Sequence, residues 1–205
     1  MRKIFVTGIG TDVGKTIVCA VLVEALMADY WKPIQCGVTP STDSELVKSL
    51  LTNSQTKIHP EAYCLKEPKS PHSAAKAEGV SIDLEKVKVP KSDNINMIIE
   101  GAGGLMVPLN EKNLVVDLIS HLKAEVIIVS SFYLGSINHT LLTCSELKAR
   151  HIPVLGIIFN GDYVAESADI ILKQSNLKML GKIAQETKFE KNTVLRYTSQ
   201  FAEIL

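Results

Sequence analysis

Apolar residues along the chain fall into two alternating kinds of run. Short continuous stretches rich in Ile, Val, Phe and Tyr predict strands at residues 3–7, 30–34, 95–99, 125–130, 154–159 and 179–183. Longer segments that mix apolar with polar residues predict helices at 14–28, 44–52, 72–78, 114–122, 137–150 and 165–174. A run such as Val126-Ile-Ile-Val129 offers no polar face, which is the pattern of a strand covered on both sides. Strands and helices that alternate in this way give an α/β fold, a mostly parallel β-sheet wrapped by helices on both faces. In such a sheet the ligand crevice lies at the carboxyl ends of the strands.

Composition adds limits to this picture. With 205 residues, 46% of them hydrophobic, and no repeat or linker, the chain is expected to form a single domain over 1–205. Twenty-two basic and 22 acidic residues cancel, which argues against nucleic acid or an anionic membrane as the main partner. No stretch approaches the ~20 apolar residues of a membrane span. Met1-Arg2-Lys3 leads straight into the first predicted strand, with no secretory pattern. Cys19, Cys36, Cys64 and Cys144 lack Cys-x-x-Cys spacing and a neighbouring His cluster. The expectation is a cytoplasmic protein with reduced thiols.

The chemistry begins where the first strand meets the first helix, at Thr7-Gly-Ile-Gly-Thr11-Asp-Val-Gly-Lys-Thr16. Strand, glycine turn, helix is the setting of a phosphate-binding loop. Glycine lets backbone N–H groups close around phosphate oxygens, and the helix start contributes partial positive charge. Lys15 adds a full charge, and the Thr16 hydroxyl suits Mg2+. The usual spacing would put glycine at position 9, where this chain has Ile9. Gly10 stands where partition-type ATPases carry a second lysine.

Further candidates follow later strands. Lys32, in Trp31-Lys-Pro-Ile-Gln-Cys-Gly37, reads either as a site lysine or as a solvated charge. Asp43 reads equally as a helix N-cap or as a ligand to a hard cation. Glu100 ends an apolar strand and precedes Gly101-Ala102-Gly103-Gly104, as a metal-holding acid beside a closely approaching ligand would. Ser136 is a good N-cap, and the N–H groups behind it suit an anion. His139 and His72 open helices without an acidic partner nearby in sequence and read as structural. Asn160, with a donor and an acceptor, suits an adenine edge.

Taken together, these motifs resemble the dethiobiotin synthetase family over nearly the whole chain. The match rests on the 7–16 loop, Lys32 to Gly37, Ser70-Pro-His72, Glu100 to Gly104, Leu134-Gly-Ser-Ile-Asn-His139 and Asn160. The resemblance implies a single-domain P-loop NTPase-like fold and a ligase. Its substrates would be ATP, CO2 and 7,8-diaminononanoate, and its products dethiobiotin, ADP and phosphate, with Mg2+ required. It further implies ATP contacts from Asp12, Val13, Gly14, Lys15, Thr16, Ile17, Asp43, Glu100, Gly101, Ala102, Gly103, Asn160, Gly161, Ala184, Gln185 and Glu186. Substrate contacts would come from Thr11, Lys32, Cys36, Gly135, Ser136, Ile137 and Asn138. Thr16, Asp43 and Glu100 would hold the metal, and Lys15 and Lys32 would be catalytic. A homodimer with a shared active site is implied too. Cys36 stands where the family more often has Ser or Thr, the link from first helix to second strand is short, and Ala184 replaces a proline. Two rivals share the ATP site. A switch or partition ATPase predicts the second loop lysine that Gly10 lacks, and a cobyrinate-type synthetase predicts a further glutamine-hydrolysing domain.

Overall fold

Strands and helices alternate from the first residues. The order is β1 (Arg2–Gly8), α1 (Lys15–Leu26), β2 (Asp29–Trp31), β3 (Ile34–Cys36), α2 (Asp43–Leu50), β4 (Ile58–His59), β5 (Tyr63–Leu65) and α3 (Pro71–Ala77). It continues with β6 (Asn96–Gly104), α4 (Val115–Leu122), β7 (Glu125–Ser131), α5 (Ser136–Ala149), β8 (Val154–Asn160), α6 (Ala165–Ser175), β9 (Met179–Ile183) and α7 (Lys191–Thr198). The structure, a computed structural model, describes residues 1–202. Seven strands form one parallel sheet in the order β4-β2-β6-β1-β7-β8-β9, and β3 pairs with β5 in a second small parallel sheet.

Alternation along the strands builds a core on each face, as the continuously apolar runs predict. Ile4 and Val6 of β1 join Ile127 and Val129 of β7 beneath α1, α2 and α7. Phe5, Val126 and Ile128 point the other way, against α4, α5 and α6. Helix α1 is apolar nearly all round because it is covered nearly all round: Val18 to Val23 are fully buried. Among the described residues no helix is long and apolar enough to cross a membrane.

Several expectations are corrected. The predicted strand 30–34 is two strands, because Pro33 has no N–H for the ladder. Its carbonyl instead accepts from Ala62 N (2.9 Å) and Tyr63 N (3.0 Å), turning the chain into the second sheet. The third predicted strand does not stop before the glycines; β6 runs on through Glu100 to Gly104. Gly101 is required there because a Cβ would lie 2.6 Å from the Phe5 ring. Helix α1 ends at Leu26, two residues early, where Met27 turns left-handed (φ 47°). The short strands β4 and β5 are too brief to show a period, and helix α7 is not expected from the sequence.

The edge strand β4 is tied to β2 by Asp29, whose carboxylate is fully buried. Asp29 Oδ1 accepts from Lys57 N (2.8 Å) and from the Asn94 amide, and His59 Nε2 lies 2.8 Å from Oδ2. Burial by itself would raise this carboxyl, but hydrogen bonds from Ser92, Lys57, His59 and Asn94 hold it below its ordinary value of 3.8. A carboxyl held low contributes stability that is present above its unfolded value, about 3.9, and lost as pH falls through the folded one. Asp29→Asn is therefore expected to destabilise the chain by about 1–3 kcal/mol at pH 7. The gap to the parent should shrink below about pH 4 in urea titrations run across pH. An equal gap at pH 7 and pH 3 would contradict this account.

Candidate active site

The phosphate loop leaves β1 at Gly8 and enters α1 at Lys15. Its backbone turns left-handed at Asp12 (φ 56°) and again at Gly14 (φ 87°), the conformation that gathers successive N–H groups into a concave anion nest. Gly14 has a second reason to be glycine, since a Cβ there would sit 2.2 Å from Asn160 Nδ2. That amide donates to the Val13 carbonyl (3.0 Å), so Asn160 braces the loop with its NH2 group. Lys15 folds back over the loop, its Nζ donating to the Gly10 carbonyl (3.0 Å). Burial pulls its pKa down from 10.5. Ile17, one residue past Thr16, packs into the α1 core.

Next to the loop lies a buried carboxylate with three donors. Glu100 is 1% exposed. Its Oε1 accepts from Thr16 Oγ1 (2.9 Å) and Lys32 Nζ (2.9 Å), and its Oε2 accepts from the Tyr30 hydroxyl (2.8 Å). Lys32 Nζ also pairs with Asp43. The sequence left Lys32 open between site and surface; at 5% exposure it is no surface charge. Burial works against its ammonium, yet Glu100 and then Asp43 outweigh that and push its pKa well up. The Tyr30 phenol is also pushed well up, by burial and then by the Glu100 charge, so it remains a hydrogen-bond donor.

Asp43 is not the N-cap of α2. Thr42 takes that place in a reciprocal box with Glu45, whose N–H donates to Thr42 Oγ1 (3.2 Å) while Thr42 N donates to Glu45 Oε2 (2.8 Å). That arrangement frees the Asp43 carboxylate for Lys32. Gln35 accepts from Asp43 N (3.2 Å) and so fixes where α2 begins. Thr16, Asp43 and Glu100 supply only hard oxygen donors, and the Lys32 ammonium lies between the two carboxylates. The donor set therefore suits a hard divalent cation such as Mg2+.

The remaining sequence candidates spread around this centre. Gly161 N donates to the Ile183 carbonyl (2.9 Å), which brings Asn160 and Gly161 beside the segment Ala184, Gln185 and Glu186. Glu186 is held by the Tyr197 hydroxyl (2.6 Å) and Arg196, and Ala184 N donates to the same hydroxyl (3.2 Å). Cys36 ends β3, half-buried, its thiol raised by burial to about 11. Gly101, Ala102 and Gly103 lie on β6 beyond Glu100, with Gly103 left-handed at φ 70°. Ser136, expected as the N-cap, is instead the buried first residue of α5; the left-handed Gly135 (φ 102°) holds the cap position, and half-buried Ile137 and exposed Asn138 follow. His139 shares a hydrogen bond with the Tyr133 hydroxyl (2.8 Å), and His72 Nδ1 with Ser70 Oγ (3.1 Å); both remain local pairs. Beside the loop opens a groove of about 480 Å3, walled by Ile9, Gly10, Thr11, Val107, His139 and Leu142 among others. Sequence reasoning missed Tyr30 and Gln35. Only strand alternation hints at Tyr30, which stands two residues before Lys32 and so shares its face.

Comparison with known proteins places this geometry in a lineage. The AAA domain family matches residues 2–193. An ATP-dependent dethiobiotin synthetase from Cytophaga hutchinsonii is 52% identical over 197 residues, 96% of this chain and 95% of that protein. Those from Christiangramia forsetii and Chlamydia pneumoniae are 46% and 41% identical, each over 100% of this chain and over 98% and 91% of their own length. Among solved structures, a septum site-determining protein MinD complexed with Mg-ADP from Pyrococcus horikoshii aligns with TM-score 0.60, 16% identity, and 99% and 92% of the two chains. A ParA family ATPase from Chlorobium tepidum aligns with TM-score 0.58 at the same identity, over 100% and 97%. At that identity the likeness establishes the P-loop fold alone. With relatives 41–52% identical over 96–100% of its length, the chain belongs to the ATP-dependent dethiobiotin synthetase family, ligases built on a P-loop fold.

Proposed function

We propose that the chain, acting as one ATP-binding domain, carboxylates 7,8-diaminononanoate with CO2 and closes the ring to dethiobiotin, forming ADP and phosphate. The observation that carries this reading is the convergence of Lys15, Lys32, Thr16, Asp43 and Glu100 beside an anion nest and a largely apolar groove. One substrate amine adds to CO2 and loses a proton, giving a carbamate. A carbamate oxygen attacks the γ-phosphorus of ATP and releases ADP. The second amine attacks the carbamoyl carbon, expels phosphate and closes the five-membered urea. No step requires a side chain to become a covalent nucleophile.

The residues act by position and charge. The loop N–H groups and Lys15 hold the phosphates. Lys15 has been stripped of solvent and has a neutral carbonyl as its hydrogen-bond partner, so an anion restores what burial removed. Thr16, Asp43 and Glu100 would hold Mg2+, which supplies charge neutralisation of the phosphates when bound. Lys32, held between both carboxylates, stabilises negative charge on carbamate and phosphoryl oxygens. The groove at Thr11 takes the methylene chain. The adenine lies between Asn160-Gly161 and Ala184-Gln185-Glu186, and Cys36 lines the substrate side as a neutral thiol. The substrate carboxylate is bound by the α5 start, Gly135 to Asn138, of a second copy in a homodimer.

Three measurements bear on this reading. ATP turnover is expected to require both the diamine and CO2, with dethiobiotin detected as product by mass spectrometry; brisk hydrolysis of ATP alone would favour the switch-ATPase alternative. Lys32→Ala is expected to lower turnover by about 100-fold or more while nucleotide binding changes little, whereas Lys15→Ala weakens nucleotide binding. Because the Lys32 variant leaves Glu100 without its cation, its turnover is compared at temperatures where melting shows it folded. Near-parental turnover would return Lys32 to a purely structural role. Finally, Lys15→Ala and Asn138→Glu are each expected to be inactive, but randomly mixed dimers should regain roughly a quarter of parental activity. No recovery after demonstrated subunit exchange would mean each chain builds its site alone.

A further inference from the structure

Tyr30 has no role in the reaction as described, yet it touches the most buried charge in the site. It lies on β2 in register with Ile98 of β6, and Glu100 is two residues further along the same face of β6. Two residues of strand span about 6.6 Å, a distance a tyrosine reaches along the sheet and a shorter hydroxyl does not. The ring is fully buried in the α1 core, and its hydroxyl meets Glu100 Oε2 at 2.8 Å. Lys32 follows two residues later and takes Oε1. The end of β2 and the residue after it thus offer two donors to the two oxygens of one carboxylate. Thr16 adds its hydroxyl to Oε1 as well, so Oε1 carries the contacts on the loop side; Tyr30 is the hydroxyl donor to Oε2, and the buried Cys19 thiol also lies within hydrogen-bonding reach of the carboxylate.

We propose that Tyr30 is a positioning residue for Glu100: by occupying Oε2 it fixes the carboxylate plane so that Oε1 stays aimed at Thr16 and the phosphate loop. This rests on the reading that Glu100 serves the divalent cation of the nucleotide site. Phenylalanine at position 30 would keep the ring and its packing and remove only the donor. A carboxylate with one oxygen unpartnered in an apolar core turns or takes on a substitute donor, and either movement misplaces the other oxygen.

The test is calorimetric titration of the full chain with ADP, with excess Mg2+ and with EDTA, for the parent, Tyr30→Phe, Glu100→Gln and the double variant. In the parent, Mg2+ is expected to tighten ADP binding. Tyr30→Phe is expected to reduce that tightening by about 10- to 100-fold while leaving the affinity in EDTA unchanged. It should have no further effect in the Glu100→Gln background, where the charge it serves is gone. Equal weakening with and without Mg2+ would make Tyr30 a packing residue only and overturn the proposal. Full Mg2+ tightening in Tyr30→Phe, with its loss in Glu100→Gln, would overturn the role of Tyr30 alone. Full tightening in Glu100→Gln would overturn the metal reading and this proposal with it. If Tyr30→Phe does not fold but the double variant does, the hydroxyl is shown to serve the carboxylate. If neither folds, its role is structural and the proposal fails.

Discussion

The buried carboxylate of Glu100 is the constraint around which the site is assembled. An ionised carboxylate at 1% exposure is tolerated only with its charge and both oxygens answered. The answers come from two parts of the chain: Thr16 at the start of α1, and Tyr30 and Lys32 on β2 and the residue following it. Lys32 in turn reaches Asp43 at the start of α2. A single charge therefore fixes the mutual position of phosphate loop, sheet and second helix. Such an arrangement contributes little net stability compared with an apolar core, but removing one member leaves the others stranded.

The two lysines are in opposite electrostatic states. Lys32 is compensated twice and firmly charged, whereas Lys15 is desolvated and hydrogen-bonded only to a neutral carbonyl. A phosphate entering the loop meets an uncommitted cation at Lys15 and a committed one at Lys32. Recruiting Lys32 to a substrate oxygen means loosening its hold on Asp43 or Glu100, and a divalent cation between those carboxylates would favour that release. The sheet itself supplies the geometry, since β1, β2 and β6 are parallel neighbours whose carboxyl ends open on one side.

Much of this was legible in the residues themselves. Continuous apolar strands marked the covered sheet, and the Gly14-Lys15-Thr16 run marked the glycine turn between β1 and α1, because those signals are local and periodic. Glu100 and its glycines stood out for the same reason. The motif set identified the family, which the relatives bear out. What tertiary structure alone decided is which groups meet. Pro33 broke a predicted strand in two because its carbonyl found Ala62 and Tyr63, residues far along the chain. Asp43 was undecided between cap and site until Thr42 took the cap and Lys32 the carboxylate. Asn160 gave its amide to the Val13 carbonyl, 147 residues away. Tyr30 looked like one more strand aromatic, and only the register of β2 on β6 set its hydroxyl against Glu100. Short-range patterns record what each segment buries, but the pairing of buried polar groups depends on strand register and helix docking, which no local pattern contains.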